Sequence, residues 1–145
     1  MKAEIYIQSS IKGMDRRDGI VGLVVERPAG GGLEPFTQFG RVLSATKNCA
    51  DLLGLKNALM HVGPDDWMHI YMDNTYISAA VGHHWLDEWR RNGWKNSKGV
   101  QIANMPEWEA VSELLCGRVP DFHQGAHKYK RWLESELARR VKKYG

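Results

Sequence analysis

The chain has 145 residues, 43% of them apolar and 26% charged, with a formal net charge of +3. That balance belongs to a globular protein with a sizeable core and excludes disordered, collagen-like and disulfide-stapled classes. No stretch approaches the roughly 18 consecutive apolar residues of a membrane span, and the start Met1 to Gln8 lacks the apolar segment of a signal peptide. A single domain spanning residues 1–145, cytoplasmic and without membrane partners, is therefore expected. Cys49 and Cys116 are far apart and without metal-binding spacing, so both are read as reduced, buried thiols. Charge is unevenly spread: residues 1–115 carry 12 basic and 14 acidic side chains, whereas residues 116–145 carry 8 and 3. A positive C-terminal region can hold a polyanion, and it is equally the composition of a solvated basic helix.

Ala3 to Ser9 alternates Glu4 and Gln8 with Ile5 and Ile7, the period of a strand, and Gly19 to Val25 is a continuous apolar run. Pro28 and Gly30 to Gly32 mark a turn, and Phe36 to Leu43 is extended again, so residues 3–44 read as a three-stranded antiparallel meander. Asn48, with Asp51 three residues on, resembles a capping arrangement, and Leu52, Leu55 and Leu59 give a helix running up to Gly63. Trp67 to Met72 reads as a fourth strand ending at Asp73. Short helical faces follow, Tyr76 to Val81, then Trp85, Leu86 and Trp89 before Gly93, then Trp108 to Leu115. Val119 to Phe122 is a short fifth strand, and Tyr129, Leu133, Leu137 and Val141 share one face of a last, basic helix. The order βββαβαααβα predicts an α/β fold with a five-stranded mixed sheet flanked by helices.

Several segments of this order resemble the type 1 ribonuclease H family. Trp85-Leu-Asp-Glu-Trp89-Arg-Arg-Asn-Gly93-Trp94-Lys95 is similar to the aromatic and basic handle of bacterial members, and Asn104 and Trp108 continue the match. Ile70-Tyr-Met-Asp73-Asn-Thr-Tyr76 resembles the family's strand-end motif, and Thr46-Lys-Asn48-Cys-Ala-Asp51 its segment of Thr, Asn and helix carboxylate. The resemblance implies a ribonuclease H-like fold and hydrolysis of the RNA strand of an RNA·DNA hybrid by two Mg²⁺ (or Mn²⁺) ions about 4 Å apart, held by four carboxylates. Here Gln8 stands where the family has its first-strand Asp, and Asp51 stands for a longer Glu. Asp73 is intact. Ser135 occupies the place of the last carboxylate, with Glu134 a replacement if the helix slips by one residue. The catalytic candidates are thus Asp51, Asp73 and Glu134, with Asp51 and Asp73 as metal ligands if the protein is active.

The same resemblance places Thr46 and Asn104 in a pocket for a DNA phosphate, with Asn48 beside it, and gives Trp85, Arg90, Arg91, Trp94 and Lys95 to nucleic-acid contact. Trp85 and Trp89, at i and i+4, equally suit packing of the handle helix. His123 and His127 flank Gln124-Gly125-Ala126, placed like the family's mobile loop. Three readings follow: a binder of RNA·DNA hybrid or a similar duplex with catalysis impaired or lost, an active two-metal ribonuclease H, and a module that docks a protein partner.

Overall fold

The computed structural model describes residues 2–27 and 35–144. The turn expected at Pro28 and Gly30 to Gly32 lies outside them. Five strands and five helices follow one another as β1 (Lys2–Ser9), β2 (Arg17–Glu26), β3 (Phe36–Ala45), α1 (Lys47–Leu59), β4 (Trp67–Tyr71), α2 (Thr75–Gly82), α3 (Trp85–Arg91), α4 (Met105–Leu115), β5 (Asp121–His123) and α5 (Lys130–Tyr144). They form one sheet in the order β3-β2-β1-β4-β5. β1 pairs antiparallel with β2 and β2 with β3, whereas β4 lies parallel to β1 and β5 parallel to β4. The mixed sheet and the element order are those expected from the sequence.

Alternation along β1 divides the molecule into two layers. Ala3, Ile5 and Ile7 face the larger core, with Leu52, Leu55 and Ala58 of α1 and Trp108 and Val111 of α4. Tyr6 faces the other way, into a small core with Val24 and Leu133 of α5. β2 is apolar without alternation because both of its faces are covered: Val21, Leu23 and Val25 belong to the first core and Val24 to the second. Gly54 lets α1 lie close on the sheet. A Cβ there would stand 2.8 Å from Ile7 and 2.9 Å from Val21, so any side chain would push the helix away.

Some boundaries differ from expectation. α1 starts one residue before Asn48, with Thr46 as its cap: the Thr46 hydroxyl oxygen accepts the Cys49 N–H at 3.1 Å. The helix ends at Leu59 rather than Gly63, because His61 and Val62 turn back on carbonyls three residues earlier. β5 begins at Asp121, two residues after the expected start. Cys116 is not buried. It caps the C-terminus of α4 in a left-handed conformation and is exposed, while Cys49 is half-buried, and both are free thiols.

The turn from α1 to β4 is held by one carboxylate. Asp66 is 4% exposed and accepts from the Gly63 N–H at 2.7 Å and from Arg27 Nε at 2.7 Å. Burial alone would raise its pKa, but the hydrogen bonds from Arg27 and Gly63 outweigh burial and hold the carboxyl below its ordinary 3.8. The stabilisation is complete above pH 3.8 and is lost as pH falls through the lower folded value. Asp66→Ala should therefore cost about 2 kcal/mol near neutrality, by leaving the Gly63 N–H without its acceptor and removing the ion pair with Arg27. Urea unfolding of both proteins checks this, and the difference between them should shrink below pH 3.8.

Candidate functional site

Parallel pairing of β1 with β4 brings the C-terminal ends of both strands to one edge of the sheet. Tyr6 stands opposite Tyr71, and two residues beyond each lie Gln8 and Asp73. α1 begins at the same edge and presents Asp51, 1% exposed, and α5 runs past it with Glu134. Together Gln8, Asp51, Asp73, His127, Lys130 and Glu134 line a cleft of about 640 Å³, with Lys12 and Lys47 at its sides and Leu137, Ala138 and Val141 as its apolar wall. Gln8, Asp51 and Asp73 thus converge on one cleft.

The carboxylates in this cleft are held by lysines. Lys47 Nζ donates to Asp51 Oδ2 at 2.5 Å and to the Asp73 carbonyl at 2.7 Å, tying α1 to the end of β4. Lys130 Nζ donates to Asp73 Oδ2 at 2.7 Å and stands 3.8 Å from Glu134. The other Asp73 oxygen accepts the Gly125 N–H at 2.6 Å. Lys130 and that N–H hold the Asp73 carboxyl below its ordinary range, burial opposing them weakly. Asn74 completes the frame: its amide donates to Asn48 and to Asp51, both at 2.9 Å, while its oxygen caps α2 at the Ile77 N–H.

Around Ser135 the neighbouring carboxylates point different ways. Ser135 is exposed, Glu136 pairs with Arg139 and Arg140, and Glu134 turns to Gln8, whose amide donates to it at 3.3 Å. A pair of divalent ions needs a carboxylate that bridges them and open oxygens around them. Here the expected bridging position carries the neutral amide of Gln8, and oxygens of Asp51 and Asp73 are given to ammonium groups. Asp51, Asp73 and Glu134 line the same cleft, but among the described residues no three His, Cys, Asp or Glu side chains stand together as the ligands of one metal ion. The residues present do not fit a two-metal centre.

Thr46 and Asn104 lie at the starts of α1 and α4, which pack together. Arg16 donates to the Ser44 carbonyl at 3.0 Å, two residues before Thr46, and burial pushes the Cys49 thiol up. Asn104 caps no N–H of α4, and its amide remains for another partner. Asn48 is committed to Asn74.

In the handle, Trp89 packs edge-on to Trp108 with centroids 5.4 Å apart, and Trp85 stands 6.3 Å from Trp89. Trp94 is half-buried against the same core. Trp89 and Trp94 therefore act mainly as packing, while Trp85 is exposed. Arg90, Arg91 and Lys95 are exposed, Arg90 paired with Asp87 at 3.2 Å. The two histidines separate. His123 ends β5, stacks on Tyr71 and shares a ring-nitrogen contact with His69 at 3.0 Å, whereas His127 lines the cleft. Burial, and then the Lys130 charge, lower the His127 pKa, which favours a neutral ring there.

Lys47, Lys130, Asn74 and Gln124 are the site residues that sequence reasoning missed. Lys47 and Lys130 each stand four residues before an acidic side chain, Asp51 and Glu134, a spacing that was available as a signal. Asn74 precedes a helix as a capping residue does, and Gln124 accepts its N–H at 2.9 Å.

Comparison with known proteins agrees with this architecture. The family model described as RNase H matches residues 2–129. The Ribonuclease H of Syntrophomonas wolfei is 35% identical over 104 residues, 69% of this chain and 71% of that protein. The Ribonuclease HI of Streptomyces coelicolor is 39% identical over 83 residues, 57% of this chain but 36% of that protein. Among solved structures, LC9-RNase H1, described as a type 1 RNase H with the type 2 active-site motif, has a TM-score of 0.71 at 20% identity, covering 94% of this chain and 70% of that one. LC11-RNase H1 in complex with an RNA/DNA hybrid has a TM-score of 0.58 at 16% identity, over 94% of this chain and 93% of that one. A five-stranded mixed sheet in this order, a strand-end Asp facing a helix carboxylate, and a family match over most of the sequence place the chain in the RNase H family, among its type 1 members.

Proposed function

We propose that this protein binds RNA·DNA hybrid, or a similar duplex, through the RNase H fold, with catalysis impaired or lost. The observation that carries the reading is the cleft: Gln8 supplies an amide where a bridging anion is required, and Lys47 and Lys130 occupy the carboxylates that remain. Contacts outside the cleft do not depend on it. Thr46, whose hydroxyl can still donate, and Asn104, at the starts of the two packed helices, would supply the donors to a backbone phosphate, with Arg16 bonded to Ser44 beside them. Arg90, Arg91 and Lys95 extend a second, sequence-independent contact along the backbone, and the exposed Lys142 and Lys143 at the end of α5 add to the positive field.

A second reading, an active nuclease relying on Asp51, Asp73 and Glu134, is favoured by one observation: Glu134 reaches Gln8 across the cleft and restores a third carboxylate there. A relative described as carrying a different active-site motif on the type 1 fold is consistent with such variation. Mg²⁺ or Mn²⁺ would be needed only in that case.

Two measurements separate the readings. An end-labelled hybrid incubated with the native chain and Mg²⁺ or Mn²⁺ should remain uncut, and robust cleavage that Asp73→Asn abolishes would establish the nuclease instead. Binding should weaken steeply with salt, and the Arg90→Ala, Arg91→Ala, Lys95→Ala variant should lower the slope of log affinity against log salt by about 2, since Arg90 already has Asp87 as partner. An unchanged slope would remove the handle from the interface.

A further inference from the structure

The cleft is unusual for the charges that are built into it. Asp51, Asp73 and Glu134 supply three negative charges, and Lys12, Lys47 and Lys130 line the same space with three positive ones. In the family arrangement the carboxylates are balanced by ions drawn from solution. Here the cations are part of the chain.

We propose that this cleft is a phosphodiester-binding site charged by its own lysines, Lys47 and Lys130 above all, in place of divalent ions, so that nucleic acid is held there without metal. The proposal rests on the nucleic-acid reading above and gives that reading its chemistry at this site. An ammonium has three donors. Lys47 spends two of them, on Asp51 and the Asp73 carbonyl, and Lys130 spends one at hydrogen-bond distance, on Asp73. Each lysine therefore has a donor left for the cleft. The two are held differently: Asp73 and Glu134 have side chains 50% and 51% exposed, so water or a phosphate oxygen can compete for Lys130, whereas Lys47 is fixed by the buried Asp51 and offers its remaining donor from a set position.

The backbone reinforces the same sign of charge. Lys47 and Lys130 are the first residues of α1 and α5, and neither helix has an acidic residue in its first turn. Both positive helix ends thus begin beside the cleft. Gln8 fits as well. Its amide donates to Glu134, adding a neutral donor to the Lys130 charge beside that carboxylate, where a carboxylate at the same position would repel it. Charge neutrality of the cleft means that a phosphate entering it meets no net repulsion, while each ammonium it contacts is a full charge.

Two experiments on the full chain test this. In the first, a fluorescently labelled RNA·DNA hybrid is titrated in EDTA and again in Mg²⁺. The native protein should bind equally in both within about twofold, Lys47→Gln with Lys130→Gln should weaken binding by about tenfold and lower the salt slope by about 2, and Lys47→Arg with Lys130→Arg should retain most of the affinity. Thermal melting of each variant confirms that it is folded. In the second, the electron paramagnetic resonance signal of Mn²⁺ is followed with protein alone. The native chain should leave it unchanged, and the Gln double variant, with its carboxylates released, should take Mn²⁺ up. Uptake of Mn²⁺ by the native chain that Asp73→Asn removes, hybrid binding that requires Mg²⁺, or full affinity in the Gln double variant would each overturn the proposal while leaving the nucleic-acid reading in place. Failure to bind hybrid in either buffer would overturn both.

Discussion

The parallel pairing of β1 with β4 is the constraint on which the rest of the molecule depends. A parallel pair brings two chain directions into agreement, so the C-terminal ends of β1 and β4 emerge at one edge, and the Tyr6–Tyr71 register sets Gln8 and Asp73 level with each other. Such a pair needs a crossover, and α1 supplies it, packed so closely through Gly54 that its first turn, with Lys47 and Asp51, arrives at the same edge. The small second core, Tyr6 with Val24 and Leu133, then fixes α5, and with it Lys130 and Glu134, against the opposite side of the cleft. The site is the place where four elements meet because two strands run the same way.

Once assembled, that site has an electrostatic problem with two solutions. Three carboxylates gathered at one edge repel one another, and repulsion in a partly desolvated cleft raises pKa values unless cations are present. The direction found at Asp73 is the opposite, downward, with Lys130 the leading cause. The cluster is therefore stabilised from within the chain. Asn74 contributes differently, as a neutral donor that joins Asp51 to Asn48 and caps α2 with the same side chain, so that the first helix and the end of β4 hold each other in place.

Much of this fold was legible in the sequence, and what was not is instructive in physical terms. Periodicity gave the element order because β1 alternates and α5 repeats its apolar face, and the Asp73 motif placed a carboxylate at a strand end. Boundaries at α1 were misjudged by local rules alone: Asn48 is an acceptable cap, but Thr46 is nearer the end of β3 and reaches the Cys49 N–H. Cys116 was expected to be buried because cysteines usually are, whereas it closes α4 in a left-handed turn at the surface. The lysines were missed because an i, i+4 pair on a helix ordinarily lies in solvent. Only the meeting of α1 and α5 across the sheet edge turns two such pairs into one cluster. His123 and His127 are only four residues apart, and a turn between them sends one ring to β4 and the other to the cleft.

Gln8 ties these points together. In a cleft balanced by external divalent ions, a bridging carboxylate is indispensable and an amide is a defect. In a cleft balanced by lysines the preference reverses, because a fourth carboxylate would leave one negative charge unmatched among Asp51, Asp73 and Glu134. An amide presents an oxygen and two donors, and Gln8 uses a donor to hold Glu134, so the neutral residue contributes a hydrogen bond where the anion would contribute repulsion. Replacing a bridging anion by an amide and placing lysines beside the remaining carboxylates are then not two separate departures from the family's arrangement. Each makes the other electrostatically consistent, and either alone would leave the cleft with an uncompensated charge.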